Sequence, residues 1–156
     1  PTRKTLAIPM EEVYLNFIRR LNEENVKYLV IGGYAVIAHG YVRTTIDLDL
    51  LVATSEENAR NIIRVLLENG FETEQFELRD FTQKPNFVSI RIGAHWIELM
   101  TETLGLNFEE AYANRLLTVF DGVTIPYLNL ADLIRNKKAV GRLKDQVDLE
   151  NLPEPE

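Results

Sequence analysis

Two rhythms of apolar residues run along this chain. Between Met10 and Glu24, Val13, Phe17, Ile18 and Leu21 recur at the spacing of one helical face. Val26 to Ile31 is instead a short run rich in β-branched residues and stopped by Gly32-Gly33, which predicts a buried strand. Tyr34 to His39 then predicts a short helix ended by Gly40, and Ile46 to Ala53 a second buried strand. Thr54-Ser55-Glu56-Glu57, ahead of Ile62, Ile63, Leu66 and Leu67, reads as a capping box opening a long helix that closes at Asn69-Gly70.

The middle of the chain changes rhythm. Phe71 to Leu78, Asn86 to Ile92 and His95 to Met100 read as strands, the last two joined at Gly93-Ala94 into an antiparallel hairpin. A helix over Phe108 to Ala113, a strand pair turning at Asp121-Gly122 and two terminal helices split near Gly141 complete the pattern. The expected fold is α/β of the α+β kind, a mixed sheet with flanking helices.

Composition narrows the class. The chain has 156 residues, 46% hydrophobic and 26% charged, enough for one buried core and short for two. A single domain over 1–156 is expected, with 1–9 and 153–156 as loosely ordered ends. No apolar stretch approaches the roughly 20 residues of a bilayer span, and the N-terminal residues lack the apolar core of a secretory signal. No membrane association and a cytoplasmic location are expected. Without cysteine, and with two histidines, neither a disulfide framework nor a Cys-ligated zinc site can form. A net charge of −7 repels polyanions at long range, so generic nucleic-acid binding is not expected.

Against that background, Asp47 and Asp49 stand out inside a hydrophobic strand. Two residues apart, they project from one face, while Leu48 and Leu50 point to the other. Carboxylates so placed repel and resist ionisation unless a cation lies between them, and paired hard oxygen donors suit Mg²⁺ or Mn²⁺. The alternative is that one aspartate caps a turn and the other pairs with Arg43. Gly32-Gly33, between strand and helix, permits close approach of backbone N–H groups to an anion such as a phosphate, or serves only as a tight turn. No GxGxxG and no P-loop lysine with Ser/Thr is present.

Gly32-Gly33, then Arg43-x-Thr45, then Asp47-Leu48-Asp49-Leu50 resembles the signature of the polymerase-β-like nucleotidyltransferase superfamily, and in particular its small bacterial members, among them antibiotic-modifying enzymes and AbiEii-type toxin–antitoxin proteins. A C-terminal stretch, Lys137 or Lys138 with Gly141, Arg142, Lys144, Asp145 and Asp148, is similar to a second motif of that group. The resemblance implies the polymerase-β-like palm fold and a third carboxylate on a neighbouring strand. Glu98, between Ile97 and Leu99, is the candidate, with Glu102 as fallback; a glutamate departs from the usual aspartate by one methylene.

The same resemblance implies the chemistry. Asp47, Asp49 and Glu98 become the catalytic, metal-holding carboxylates for Mg²⁺ or Mn²⁺. Gly32, Gly33, Arg43, Thr45, Lys137, Arg142 and Lys144 become the nucleotide-binding set. The reaction would move a nucleoside monophosphate from an NTP, ATP by default, to a hydroxyl on a small molecule, protein or RNA, releasing pyrophosphate. The acceptor is not legible; a protein partner or homo-oligomer could complete its site. The other reading is a non-catalytic nucleotide-binding or partner-neutralising module of a toxin–antitoxin pair. His39 and His95 lack metal-ligand spacing, Asp145 and Asp148 among basic neighbours suggest ion pairing, and Trp96 reads as core or interface.

Overall fold

The computed structural model describes residues 10–155. The expected loose end at 1–9 lies outside them, and residues 153–155 carry no helix or strand. Helix α1 (Glu12–Glu23) buries Phe17, Ile18 and Leu21 of the face that the apolar spacing marked, together with Tyr14 and Leu15, and leaves Val13 half-buried. Strand β1 (Tyr28–Ile31), buried at all four positions, runs directly into helix α2 (Gly32–Ala38). Strand β2 (Asp47–Val52) returns antiparallel to β1. Helix α3 (Glu56–Glu68) starts at Ser55, whose side chain accepts from the Asn58 backbone N–H at 3.1 Å. The expected capping box is only half formed. Asn58 turns its amide instead to Lys27 and Ala53, tying the helix to the entry of β1.

The hairpin of β3 (Phe87–Ile92) and β4 (His95–Met100) is antiparallel, as the Gly93-Ala94 turn requires. Helix α4 (Phe108–Ala113) follows, then the hairpin of β5 (Leu116–Phe120) and β6 (Val123–Tyr127), then α5 (Leu130–Val140) and α6 (Leu143–Asn151). The six strands form one mixed sheet in the order β3-β4-β2-β1-β6-β5, with β2 parallel to β4 and β1 parallel to β6. The two central strands are therefore the ones that meet at the Gly32 turn. Their side chains, with those of α1 and α3, form the middle of a continuous core to which α2, β4, β6 and α5 also contribute.

The expected strand over Phe71 to Leu78 is replaced by two 3-10 turns, Thr73–Gln75 and Leu78–Phe81. The Gln75 and Asp80 side chains accept from the Glu72 and Glu77 backbone N–H groups, at 2.7 and 2.8 Å. Local caps of this kind compete with a strand ladder for the same donors. Phe71, Phe76 and Phe81, five residues apart, then pack in sequence, the first pair edge to face and the second tilted, with centroids 5.8 and 6.2 Å apart, which folds the segment on itself. Trp96 is not in the core. It is 44% exposed, with the Arg91 guanidinium 5.7 Å from its ring centroid.

Candidate active site

Everything in the site hangs on where β1 stops. Gly32 has φ +67°, a conformation that a side chain resists, and a Cβ there would lie 2.9 Å from the Asp49 Cγ. Glycine is needed at this position for both reasons. At Gly33 a Cβ would stand 2.7 Å from the Thr45 Cβ and 3.3 Å from Arg43 Nη1. Any side chain there strikes the Arg43–Thr45 segment before it could reach a ligand. The two glycines thus let β2 and the loop before it close onto the first turn of α2.

The carboxylates follow from register. Asp47 and Asp49 are half-buried, whereas Leu48 and Leu50 are fully buried on the opposite face of β2. Asp49 lies beside Ile31 on β1 and beside Glu98 on β4. Because β4 runs between β2 and β3, Glu98 sits on an interior strand of the sheet. Its Oε1 accepts from Ser89 Oγ at 3.1 Å, and its Oε2 is buried without a hydrogen-bond partner. Burial, then the charges of Asp47 and Glu98, push the Asp49 carboxyl up to about 7, although Lys144 and Lys137 pull it down. Glu98 is raised as well, by burial first, with the Ser89 hydrogen bond opposing and Asp47 adding.

No three His, Cys, Asp or Glu side chains among the described residues are gathered closely enough to enclose a metal ion as they stand. The donor chemistry nonetheless fits one. Asp47, Asp49 and Glu98 border one hollow, Asp49 is raised by the charges of the other two, and a buried Glu98 oxygen has no proton donor. A divalent cation would relieve both conditions.

Beyond the carboxylates, α5 and α6 present a different arrangement. Lys137, 3% exposed, donates to Asp145 at 2.8 Å and to Asp148 at 2.9 Å. Arg43 grips Asp148 with two parallel bonds, Nε to Oδ1 at 2.8 Å and Nη2 to Oδ2 at 2.9 Å. Arg142 holds Asp145 through Nε at 2.8 Å. Signs alternate along the chain Arg43, Asp148, Lys137, Asp145, Arg142. Burial alone would raise the two aspartates. The hydrogen bonds from Arg142 and Lys137 instead bring Asp145 down to about 2, and those from Arg43 and Lys137 lower Asp148. The ion pairing expected of Asp145 and Asp148 is present, and Lys137, not the exposed Lys138, is its centre.

Nine of the ten candidate residues, all except Glu98, line one hollow of about 160 Å³. Glu98 lines the adjoining hollow of about 340 Å³, which shares Gly32, Asp47, Asp49, Lys137, Arg142 and Lys144 with the first. The occupation of two candidates differs from expectation. Arg43 does not pair with Asp47, and its guanidinium is committed to Asp148 and the Thr44 carbonyl; Lys137 is committed to its two aspartates. Lys144, exposed at the start of α6, has no hydrogen bond or ion pair among the described residues and acts on Asp49 through space.

Glu102 lies beyond the end of β4 in a hollow that shares Phe87 and Met100 with that of Glu98 but none of the candidate residues. His39 is buried against the Leu128 carbonyl, and His95 meets Glu11 and the edge of Tyr14. A wider hollow of about 720 Å³ between α1 and the β5–β6 hairpin contains none of the candidates. The residue that sequence reading missed is Ser89. The Gly93-Ala94 turn sets Ile92 opposite His95 and therefore Ser89 opposite Glu98, so the hairpin itself carried the signal.

The fold is shared with solved nucleotidyltransferases. A protein from Thermotoga maritima assigned as a nucleotidyltransferase (TM1012) superposes with a TM-score of 0.62 at 20% identity, covering 88% of each chain. ANT(2″)-Ia, solved with adenylyl-2″-tobramycin, superposes with a TM-score of 0.50 at 13% identity over 88% of this chain and 93% of its own. No curated protein matches in sequence. The model of the family described as "Nucleotidyltransferase of unknown function (DUF6036)" matches residues 12–152, and the chain, with its polymerase-β-like fold, belongs to that family.

Proposed function

We propose that this chain is a metal-dependent nucleotidyltransferase acting as a single domain over 1–156. It transfers a nucleoside monophosphate from an NTP to a hydroxyl acceptor. The observation that carries the reading is the juxtaposition of Asp47, Asp49 and Glu98, with one buried oxygen unpartnered, and a cation-lined hollow at the Gly32-Gly33 turn.

Asp47, Asp49 and Glu98 would hold Mg²⁺ or Mn²⁺. Bound there, the metal neutralises triphosphate charge and makes the acceptor hydroxyl more acidic. Gly32 and Gly33 present backbone to the phosphates, with Thr45 packed beside them. Lys144 and the exposed Arg142 supply positive charge at the mouth, while Arg43 and Lys137 supply it from the wall. The acceptor hydroxyl gives up its proton to water, its oxygen bonds to the α-phosphorus, the bond from that phosphorus to the bridging oxygen breaks, and pyrophosphate leaves with that oxygen. ATP is the default donor and the cytoplasm, where NTPs are abundant, the default location. No helix among the described residues is long and apolar enough to cross a membrane.

Calorimetric titration with each NTP should show tight binding in Mg²⁺ and weak binding in EDTA, and labelled NTP should give up pyrophosphate when acceptor candidates are supplied. Equal affinity with and without metal refutes the metal site. Metal-dependent NTP binding with no transfer to small molecules, RNA or the product of a neighbouring gene favours a binding module of a toxin–antitoxin pair.

A further inference from the structure

We infer that Ser89 is a positioning residue for the reaction: its hydroxyl fixes one oxygen of Glu98 so that the other is left for a divalent cation. This rests on the metal-dependent reading above. Ser89 lies directly opposite Glu98 in the β3–β4 hairpin, and Glu98 lies directly beside Asp49 in the β2–β4 ladder. The three side chains therefore stand in one row across three strands, on the same face of the sheet.

A glutamate reaches one methylene further than an aspartate and has one more rotatable bond, so its oxygens are less well placed by the backbone alone. The 3.1 Å bond from Ser89 Oγ to Oε1 removes that freedom. It also divides the carboxylate: Oε1 is satisfied by a hydroxyl, and Oε2, buried, has no partner. An exposed serine on an edge strand can satisfy its hydroxyl with water at no cost. That it donates instead to the acid bordering the cleft is what a ligand-orienting contact looks like. Outer-shell hydrogen bonds of this type typically carry about 10–100-fold in metal affinity or activity.

The test compares wild type, Ser89→Ala, Ser89→Thr, Glu98→Asp and the double variant Ser89→Ala/Glu98→Asp. Mn²⁺ binding is followed by paramagnetic relaxation of water protons, alongside pyrophosphate release with NTP and Mg²⁺. Ser89→Ala should weaken Mn²⁺ binding by about 10-fold or more and lower kcat, with little change in the KM for NTP and an unchanged melting temperature in EDTA. Ser89→Thr, which keeps the hydroxyl on a residue suited to strands, should restore both. In the Glu98→Asp background the shorter acid lies out of reach, so adding Ser89→Ala should change nothing further. Wild-type Mn²⁺ affinity and kcat in Ser89→Ala overturn the inference, as does a full additional loss in the double variant. A wild-type protein that binds no Mn²⁺ overturns the metal-site reading itself, a distinct result.

Discussion

Asp49 on β2 and Asp145 on α6 line the same hollow, yet their carboxyl groups are driven in opposite directions, one up to about 7 and the other down to about 2. Burial opposes ionisation at both. What differs is the company. Asp145 shares Lys137 and Arg142 with good hydrogen-bond geometry, and Asp148 shares Lys137 with Arg43, so each negative charge is enclosed by positive ones. Asp49 faces Asp47 and Glu98, and the nearest cations reach it only through space. The α5–α6 region is electrostatically finished without any ligand; the β2–β4 region is not. A site that must bind something keeps its imbalance until that something arrives, and neighbouring structure must supply the stability it lacks.

The contrast is broken most completely by Asp49→Asn. The amide keeps the shape but removes a like charge and a proposed hard metal ligand, so pyrophosphate release should fall by at least about a thousandfold. In EDTA at neutral pH the melting temperature should be unchanged or higher, since repulsion is relieved. Melts that place the variant several degrees below wild type would show Asp49 to be a structural acid.

At the other pole, Lys137→Met removes the central cation of the alternating chain and leaves two buried aspartates facing each other across an apolar side chain. The expected loss is about 3–5 kcal/mol of unfolding free energy, read from urea denaturation. A loss below about 1 kcal/mol would mean that Arg43 and Arg142 hold the network without it.

Solution pH separates the two regions in a single protein. Asp49 binds its proton more tightly folded than unfolded, so its contribution is fully present below the ordinary carboxylate value of 3.8 and is lost as pH rises through about 7. Asp145 has the opposite sign. Its contribution is present above 3.8 and is lost as pH falls toward about 2. In EDTA, stability should therefore decline by up to about 1.4 kcal/mol per pH unit on going from mildly acidic to neutral pH, and collapse separately in strong acid. Mg²⁺ with NTP should flatten the first slope and leave the second untouched. A metal-free protein whose stability rises steadily from acid to pH 7 would contradict the raised Asp49.

The sequence made one of these regions readable and hid half of the other. Alternation in Asp47 to Leu50, with Gly32-Gly33 ahead of it, locates the carboxylate pair, because strand geometry leaves no freedom about which side chains share a face. Glu98 needed the resemblance as well, since a lone acid on a strand has no period to betray it. The spacing of Asp145 and Asp148 among basic residues announced ion pairing, but not that Arg43, 105 positions away, would close it. Such a partnership exists only once α6 docks on the loop before β2. The segment from Phe71 to Leu78 misled for a related reason: it reads as a short strand, and the Gln75 and Asp80 side chains that cap the Glu72 and Glu77 N–H groups decide against it.

Lys144 tests the border between the two regions and should give the smallest effect on the fold. It sits in the first turn of α6, exposed, outside the alternating chain, yet its charge is the larger pull on Asp49 toward ionisation, ahead of Lys137. Since it has no hydrogen bond or ion pair among the described residues, Lys144→Ala should leave the stability within about 0.5 kcal/mol. An unpaired surface cation above a carboxylate cluster is free to meet incoming phosphate, so the KM for NTP should rise about 5–10-fold, the scale of one charge-assisted contact of roughly 1 kcal/mol at an exposed position. Because that contact is solvent-screened, the wild-type KM should climb with added KCl more steeply than the variant's, and the two should approach each other as the Debye length shrinks. Lys144→Arg should preserve both the low KM and the salt slope. Identical KM values and identical salt slopes in wild type and Lys144→Ala would assign Lys144 to the solvated face of α6, and would leave Arg142 as the exposed cation at the mouth of the cleft.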